Sequence, residues 1–269
     1  MNRLRSAFRC AKEEGRTALI CYLMAGVPDP RRFIDMALAC LEGGADVLEV
    51  GVPFSDPVAD GPVIQEAGVR ALENGVTPPM VLDMVRELRK RTDKPLVLMG
   101  YYNPIFRRGE ERFVNEALKA GADGLIVPDL PLHEGGSLRE ICRERGLCLV
   151  QLSTPLTPAD RQRELMRATE GFLYLVTRTG VTGRETELGR QLEEMVRRGR
   201  EMDPGVPLAA GFGISHPEQI RAVRAAGADG AVVGSALVAL TLDEATPEDM
   251  RKKVGMLFEA CSGRSAGGQ

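Results

Sequence analysis

Glu49 sits where a carboxylate is hard to keep. It interrupts the run Asp46-Val-Leu-Glu-Val-Gly51, which otherwise reads as a buried strand. An ionised carboxylate is costly to bury without a partner, so a Glu in that position tends to have its pKa raised. A carboxyl group poised near neutral pH can both donate and accept a proton, as general acid–base chemistry requires. The loop that follows, Val52 to Gly61, is rich in Pro and Asp and carries a second candidate, Asp60. It is longer than the usual two to six or so residues of a βα connection, and long loops of this kind are commonly functional. The plainer reading of Glu49 is a strand-end residue that reaches solvent or a structural Arg, and that of Asp60 is a helix-start residue ahead of Pro62. The chemistry of the adjoining loop favours the first reading of Glu49.

A second group of residues suits phosphate. Gly211-Phe-Gly-Ile-Ser215 and Gly234-Ser235-Ala-Leu each follow an apolar run near the end of the chain. Glycine lets a backbone N–H approach an oxyanion closely, and the Ser235 hydroxyl adds a donor. Either turn alone is weak evidence; two on consecutive strands are stronger. The segment 177–189 is long, polar and Gly-containing, like a lid, and Thr182-Gly183 on it offers a third contribution, with Arg178 as a possible source of charge.

Other chemistries find little support. The two histidines, His133 and His216, make no paired ligand spacing, and His216 before Pro217-Glu218 reads as a helix cap. The lysines, at 12, 90, 94, 119, 252 and 253, lie on helices or just before a strand, which disfavours a Schiff-base aldolase. No Gly-x-Gly-x-x-Gly follows a first strand, which argues against a dinucleotide fingerprint. A net charge of −3, no Trp and 4% aromatic residues give no case for nucleic acid. The six cysteines (10, 21, 40, 142, 148 and 261) form no Cys-x-x-Cys pair, which suits a reducing compartment. Nothing resembles a signal peptide or a transmembrane run, so a soluble cytoplasmic protein is expected.

The elements that must position these groups alternate from end to end. Strands are expected near 18–24, 46–51, 95–101, 123–128, 147–152, 172–177, 206–211 and 229–234. Helices are expected near 30–42, 78–91, 110–120, 134–145, 158–168, 188–201, 216–226 and 247–261. Strand–helix alternation without a linker predicts an α/β fold, a single (β/α)8 TIM barrel over residues 1–269. An amphipathic helix built on Leu4, Ala7, Phe8 and Ala11 should close one end, short extra helices should occupy βα loops, and residues 262–269 read as a disordered tail. The repeat Gly43-Gly-Ala-Asp46, Ala120-Gly-Ala-Asp123 and Ala226-Gly-Ala-Asp229 ends three helices and precedes three strands, a signal of fold. In such barrels the active site lies at the C-terminal ends of the strands, where Glu49 and the Gly turns fall.

The string Leu48-Glu-Val-Gly-Val-Pro-Phe-Ser-Asp-Pro-Val-Ala-Asp-Gly-Pro-Val-Ile-Gln65 closely resembles the signature of the tryptophan synthase alpha subunit family. So do Tyr101-Tyr-Asn-Pro104, Pro128-Asp-Leu-Pro131, Thr177-Arg-Thr-Gly-Val-Thr-Gly183, Gly211-Phe-Gly-Ile-Ser215 and Gly234-Ser-Ala236, in family order. The resemblance implies retro-aldol cleavage of indole-3-glycerol phosphate to indole and glyceraldehyde 3-phosphate. It implies Glu49 as general acid–base and Asp60 as the group that holds the indole N–H. Tyr174 would help position Glu49 or the substrate, and Thr182 would order the lid and orient Asp60. Tyr22, Ile64, Tyr101 and Phe212 would line the indole pocket, with Tyr22 departing from the Phe of familiar members. Gly183, Gly213, Gly234 and Ser235 would hold phosphate. The implied partner is the beta subunit in an αββα assembly, docked on the loops carrying Pro53, Phe54, Asp56, Asn103 and Pro131. Pyridoxal phosphate is expected in that partner and no cofactor or metal in this chain. A stand-alone lyase and a non-catalytic, phosphate-ligand-binding regulatory subunit are the alternatives.

Overall fold

The computed structural model describes residues 2–176, 185–211 and 213–262. Eight parallel strands pair in sequence order, and the last returns to the first: β1 (Ala18–Met24), β2 (Val47–Gly51), β3 (Leu96–Met99), β4 (Gly124–Ile126), β5 (Cys148–Ser153), β6 (Leu173–Val176), β7 (Leu208–Gly211) and β8 (Gly230–Val233). Closure of the ring removes both sheet edges. The strands are buried on both faces, which is why β1, Ala-Leu-Ile-Cys-Tyr-Leu-Met, is continuously apolar rather than alternating.

Twelve helices surround or cap the barrel among the described residues: α1 (Arg3–Glu13), α2 (Pro30–Glu42), α3 (Pro62–Glu73), α4 (Pro78–Arg89), α5 (Tyr102–Arg108), α6 (Glu110–Ala120), α7 (Gly136–Arg145), α8 (Ala159–Ala168), α9 (Glu185–Met202), α10 (Pro217–Ala225), α11 (Ser235–Leu242) and α12 (Pro247–Cys261). Their ends follow local chemistry. Asp29 caps α2 by accepting from the N–H groups of Arg31 and Arg32, ahead of Pro30 at the first helical position. His216 is the N-cap residue of α10, as its place before Pro217 suggests, and its backbone N–H donates to Gln219 Oε1 at 3.1 Å. Gly121 ends α6 with φ 97°, a left-handed conformation costly for a residue bearing Cβ. The helix α1 closes the N-terminal end of the barrel, with Leu4, Phe8 and Ala11 buried and the Phe8 ring 5.3 Å from that of Phe172.

Three helices, α3, α5 and α11, have no counterpart among the expected ranges; α11 is a short apolar helix directly after β8. The segment 62–73 forms α3, whose Ile64, Ala67, Gly68 and Ala71 face inward, a weak apolar stripe of mostly small residues. The segment 102–108 forms α5; Pro104 falls in the first helical turn, where its missing N–H has no helical acceptor to lose. The third strand accordingly ends at Met99, not 101, and Tyr101 becomes the N-cap of α5.

The Gly-Ala-Asp repeat has one structural use. Asp46, Asp123 and Asp229 each stand just before an even-numbered strand and clamp the strand before it. Their backbone N–H groups donate to the carbonyls of Leu19, Leu96 and Leu208. Their carboxylates accept from the N–H groups of the same residues, at 2.8, 2.9 and 2.7 Å. An arginine completes each clamp: Arg16 on Asp46, Arg89 on Asp123 and Arg200 on Asp229. No helix of the described residues is long and apolar enough to cross a membrane.

Candidate active site

The strand β2 carries Glu49 into the C-terminal half of the barrel, in register with Tyr22 of β1 and Val97 of β3. Glu49 is 1% exposed, and its Oε2 has no hydrogen-bond partner among the described residues. Burial, reinforced by the charge of Asp60, pushes its pKa up to about 8. Asp60 is half-buried at the end of the loop after β2. Burial raises its pKa as well, while the Tyr101 hydroxyl, as a hydrogen-bond donor, lowers it. Asp60 does not cap α3: the N-cap is Gly61, with no side-chain cap bond. The backbone carbonyl of Asp60 instead accepts from Gln65 Nε2 at 2.9 Å.

Both carboxylates open on one cleft of about 400 Å³, counting its mouth. Its walls include Tyr22, Ile64 and Tyr174, and Gly213, Gly234 and Ser235 complete it. The acid–base candidates and the phosphate candidates therefore share one cavity. Ser235 begins α11, with Gly234 as its N-cap, so the Gly turn presents a helix N-terminus to the cleft. Two tyrosines are locked against glycines of the next strand. A Cβ on Gly51 would lie 2.1 Å from the Tyr22 hydroxyl oxygen, and one on Gly211 would lie 2.3 Å from that of Tyr174. Met99 and Val232 also line the cleft and were not anticipated; Met99 ends β3, and strand-end position was the signal that could have found it. Tyr101 is not on the wall of this cleft: it is buried beside Phe54, with ring centroids 5.2 Å apart. Thr182, Gly183 and Phe212, with most of the expected lid, lie outside the described residues.

The loops expected to meet a partner separate into two neighbourhoods at the same end of the barrel. Pro53, Phe54 and Asn103 border one groove, together with Pro78, Arg107 and other residues. Asp56 is exposed and accepts from the Ser55 hydroxyl at 2.6 Å. Pro131 borders a different cavity, beside Asp129 and Arg161. Asp129 joins the two neighbourhoods by accepting from the N–H of Tyr102 at 2.9 Å.

A family model described as tryptophan synthase alpha chain matches residues 8–263. The chain belongs to the tryptophan synthase alpha chain family. It is 48% identical over 233 residues to the tryptophan synthase alpha chain of Prochlorococcus marinus (strain MIT 9313), covering 87% of this chain and 84% of that one. Its identity to the alpha chain of Methanosarcina barkeri is 46%, over 87% and 86% of the two chains. Among solved structures, the alpha subunit from Legionella pneumophila str. Paris superposes with a TM-score of 0.88 at 34% identity, over 97% and 98%. A chain of the tryptophan synthase complex from Pyrococcus furiosus gives 0.82 at 38% identity, over 91% and 98%. The tryptophan synthase alpha chain cleaves indole-3-glycerol phosphate, a carbon–carbon lyase reaction, and needs no cofactor of its own.

Proposed function

We propose that Glu49 and Asp60 carry out the alpha reaction in this chain, the retro-aldol cleavage of indole-3-glycerol phosphate. The observation that carries the assignment is Glu49 itself, buried in the cleft with an oxygen unpartnered among the described residues and a pKa pushed up to about 8. At neutral pH such a carboxyl holds a proton to give. Glu49 protonates C3 of the indole ring, which makes the ring an electron sink. Its carboxylate then takes the proton of the glycerol hydroxyl, the carbon–carbon bond breaks, and its electron pair returns to the ring. Indole and glyceraldehyde 3-phosphate result, with Glu49 again protonated. Asp60, ionised, accepts from the indole N–H and offsets the positive charge that the ring gains. Gly213, Gly234 and Ser235 hold the phosphate at the N-terminus of α11, and Thr182, Gly183 and Phe212 complete the site in this reading.

The partner in this reading is a tryptophan synthase beta subunit holding pyridoxal phosphate, in a cytoplasmic αββα assembly. The loops of Pro53, Phe54, Asp56, Asn103 and Pro131 form its docking face. Likeness to a chain of the Pyrococcus furiosus complex supports this. The test is indole formation from indole-3-glycerol phosphate by the purified chain, alone and with a beta subunit. Low activity alone and strong stimulation by the partner are expected. High activity alone would mark a free-standing lyase, and no indole in either case would leave a binding subunit only.

A further inference from the structure

Tyr101 belongs to the motif that follows β3, and simple core packing would account for its burial. Its contacts ask for more. The hydroxyl accepts from the backbone N–H of Ala59 at 3.0 Å. The next residue along is Asp60, whose carboxylate the same hydroxyl, as a donor, holds lower in pKa. The ring is stacked on Phe54, with an interplanar angle of 28°. One side chain thus touches both ends of the loop from Phe54 to Asp60, a stretch outside any helix or strand. Gln65 holds the backbone of Asp60 from the opposite side, at the carbonyl.

We infer that Tyr101 is a positioning residue for the cleavage, aiming the Asp60 carboxylate from behind the cleft while Phe54 holds the Tyr101 ring in place. The inference rests on the role given to Asp60 above. A hydroxyl has one proton to donate, so accepting from Ala59 leaves that proton for Asp60. Donation to a carboxylate favours its charged form, the form that offsets charge on the indole ring. Burial opposes this donor by raising the Asp60 pKa; Asp60 in turn bears on Glu49 of β2, Tyr22 of β1 and Tyr174 of β6, and Asp129 bears on Tyr101.

The test is the pH profile of kcat/KM for the full chain and for Tyr101→Phe, which keeps the stacked ring and removes only the hydroxyl. The expected result is a kcat lowered about 10-fold, KM changed less than about 3-fold, and the acid limb moved to higher pH, because Asp60 loses a donor that favours its ionised form. Phe54→Leu should move the limb the same way by less. Thermal unfolding of both variants separates positioning from loss of fold. A profile for Tyr101→Phe that overlays the wild type, with kcat within twofold, would overturn the inference and leave the proposed function standing. An unmodified chain that makes no indole would overturn both.

Discussion

The two ends of the barrel treat carboxylates in opposite ways, and β2 shows both within one short stretch. Just before the strand, Asp46 accepts two hydrogen bonds from Arg16, at 2.6 and 2.8 Å, and one from the Leu19 N–H. Three residues later, Glu49 is buried with Oε2 unpartnered among the described residues, and another carboxylate, Asp60, adds to the rise of its pKa. At the N-terminal end, charge is buried with a matched cation and satisfied geometry, and the result is a clamp between strands. At the C-terminal end, burial with no cation beside it among the described residues raises the pKa into the range where a carboxyl group can pass a proton in both directions. The same chemical group serves cohesion or reactivity according to what surrounds it.

The comparison breaks most severely at Glu49. Glu49→Gln keeps the shape and removes the titration, so indole formation should fall by about 10³-fold or more while binding of a phosphate-bearing ligand stays near normal. Near-normal turnover would remove Glu49 from the chemistry. At the other end, Arg16→Met leaves Asp46 without its cation and should cost on the order of 3–5 kcal/mol in urea unfolding, with kcat per folded molecule unchanged. A loss below about 1 kcal/mol would show that the clamp is ornamental.

The third prediction separates the ends by pH. The folded chain holds the Glu49 proton up to about pH 8, whereas the unfolded chain releases it near the ordinary 4.5. The stability tied to that proton is therefore complete below pH 4.5 and is lost as pH rises towards 8. Glu49→Gln should abolish this slope and gain on the order of 5 kcal/mol on the wild type across that window, read from urea midpoints. A parallel pair of stability curves would contradict it. The smallest effect falls at the phosphate end. Ser235→Ala removes one hydroxyl donor and should raise KM about 10-fold with kcat nearly constant; an unchanged KM would take Ser235 out of the phosphate site.

What could be read from the chain depended on how locally each feature is encoded. The eight strands were legible because each is a short apolar run behind a helix with a recognisable end, as at Ala120-Gly-Ala-Asp123. Glu49 was legible because a charge inside such a run is itself an anomaly. The helix α3 was not, because its buried face is built from Ala67, Gly68 and Ala71, which carry little apolar contrast. The arginines of the clamps were not assigned either: Arg89 lies 34 positions from Asp123, and only closure of the fold brings them together. The same holds for Tyr101, whose place in a motif gave no hint that its hydroxyl reaches Ala59, 42 positions earlier.

Titration of the Glu49 carboxyl by NMR, assigned against Glu49→Gln, tests the central claim most directly. A midpoint near 8 is the predicted result for a buried carboxyl with no cation beside it among the described residues. A midpoint near the ordinary 4.5 would show that Glu49 is paired or solvated in solution, and the contrast between the two ends of the barrel would fail.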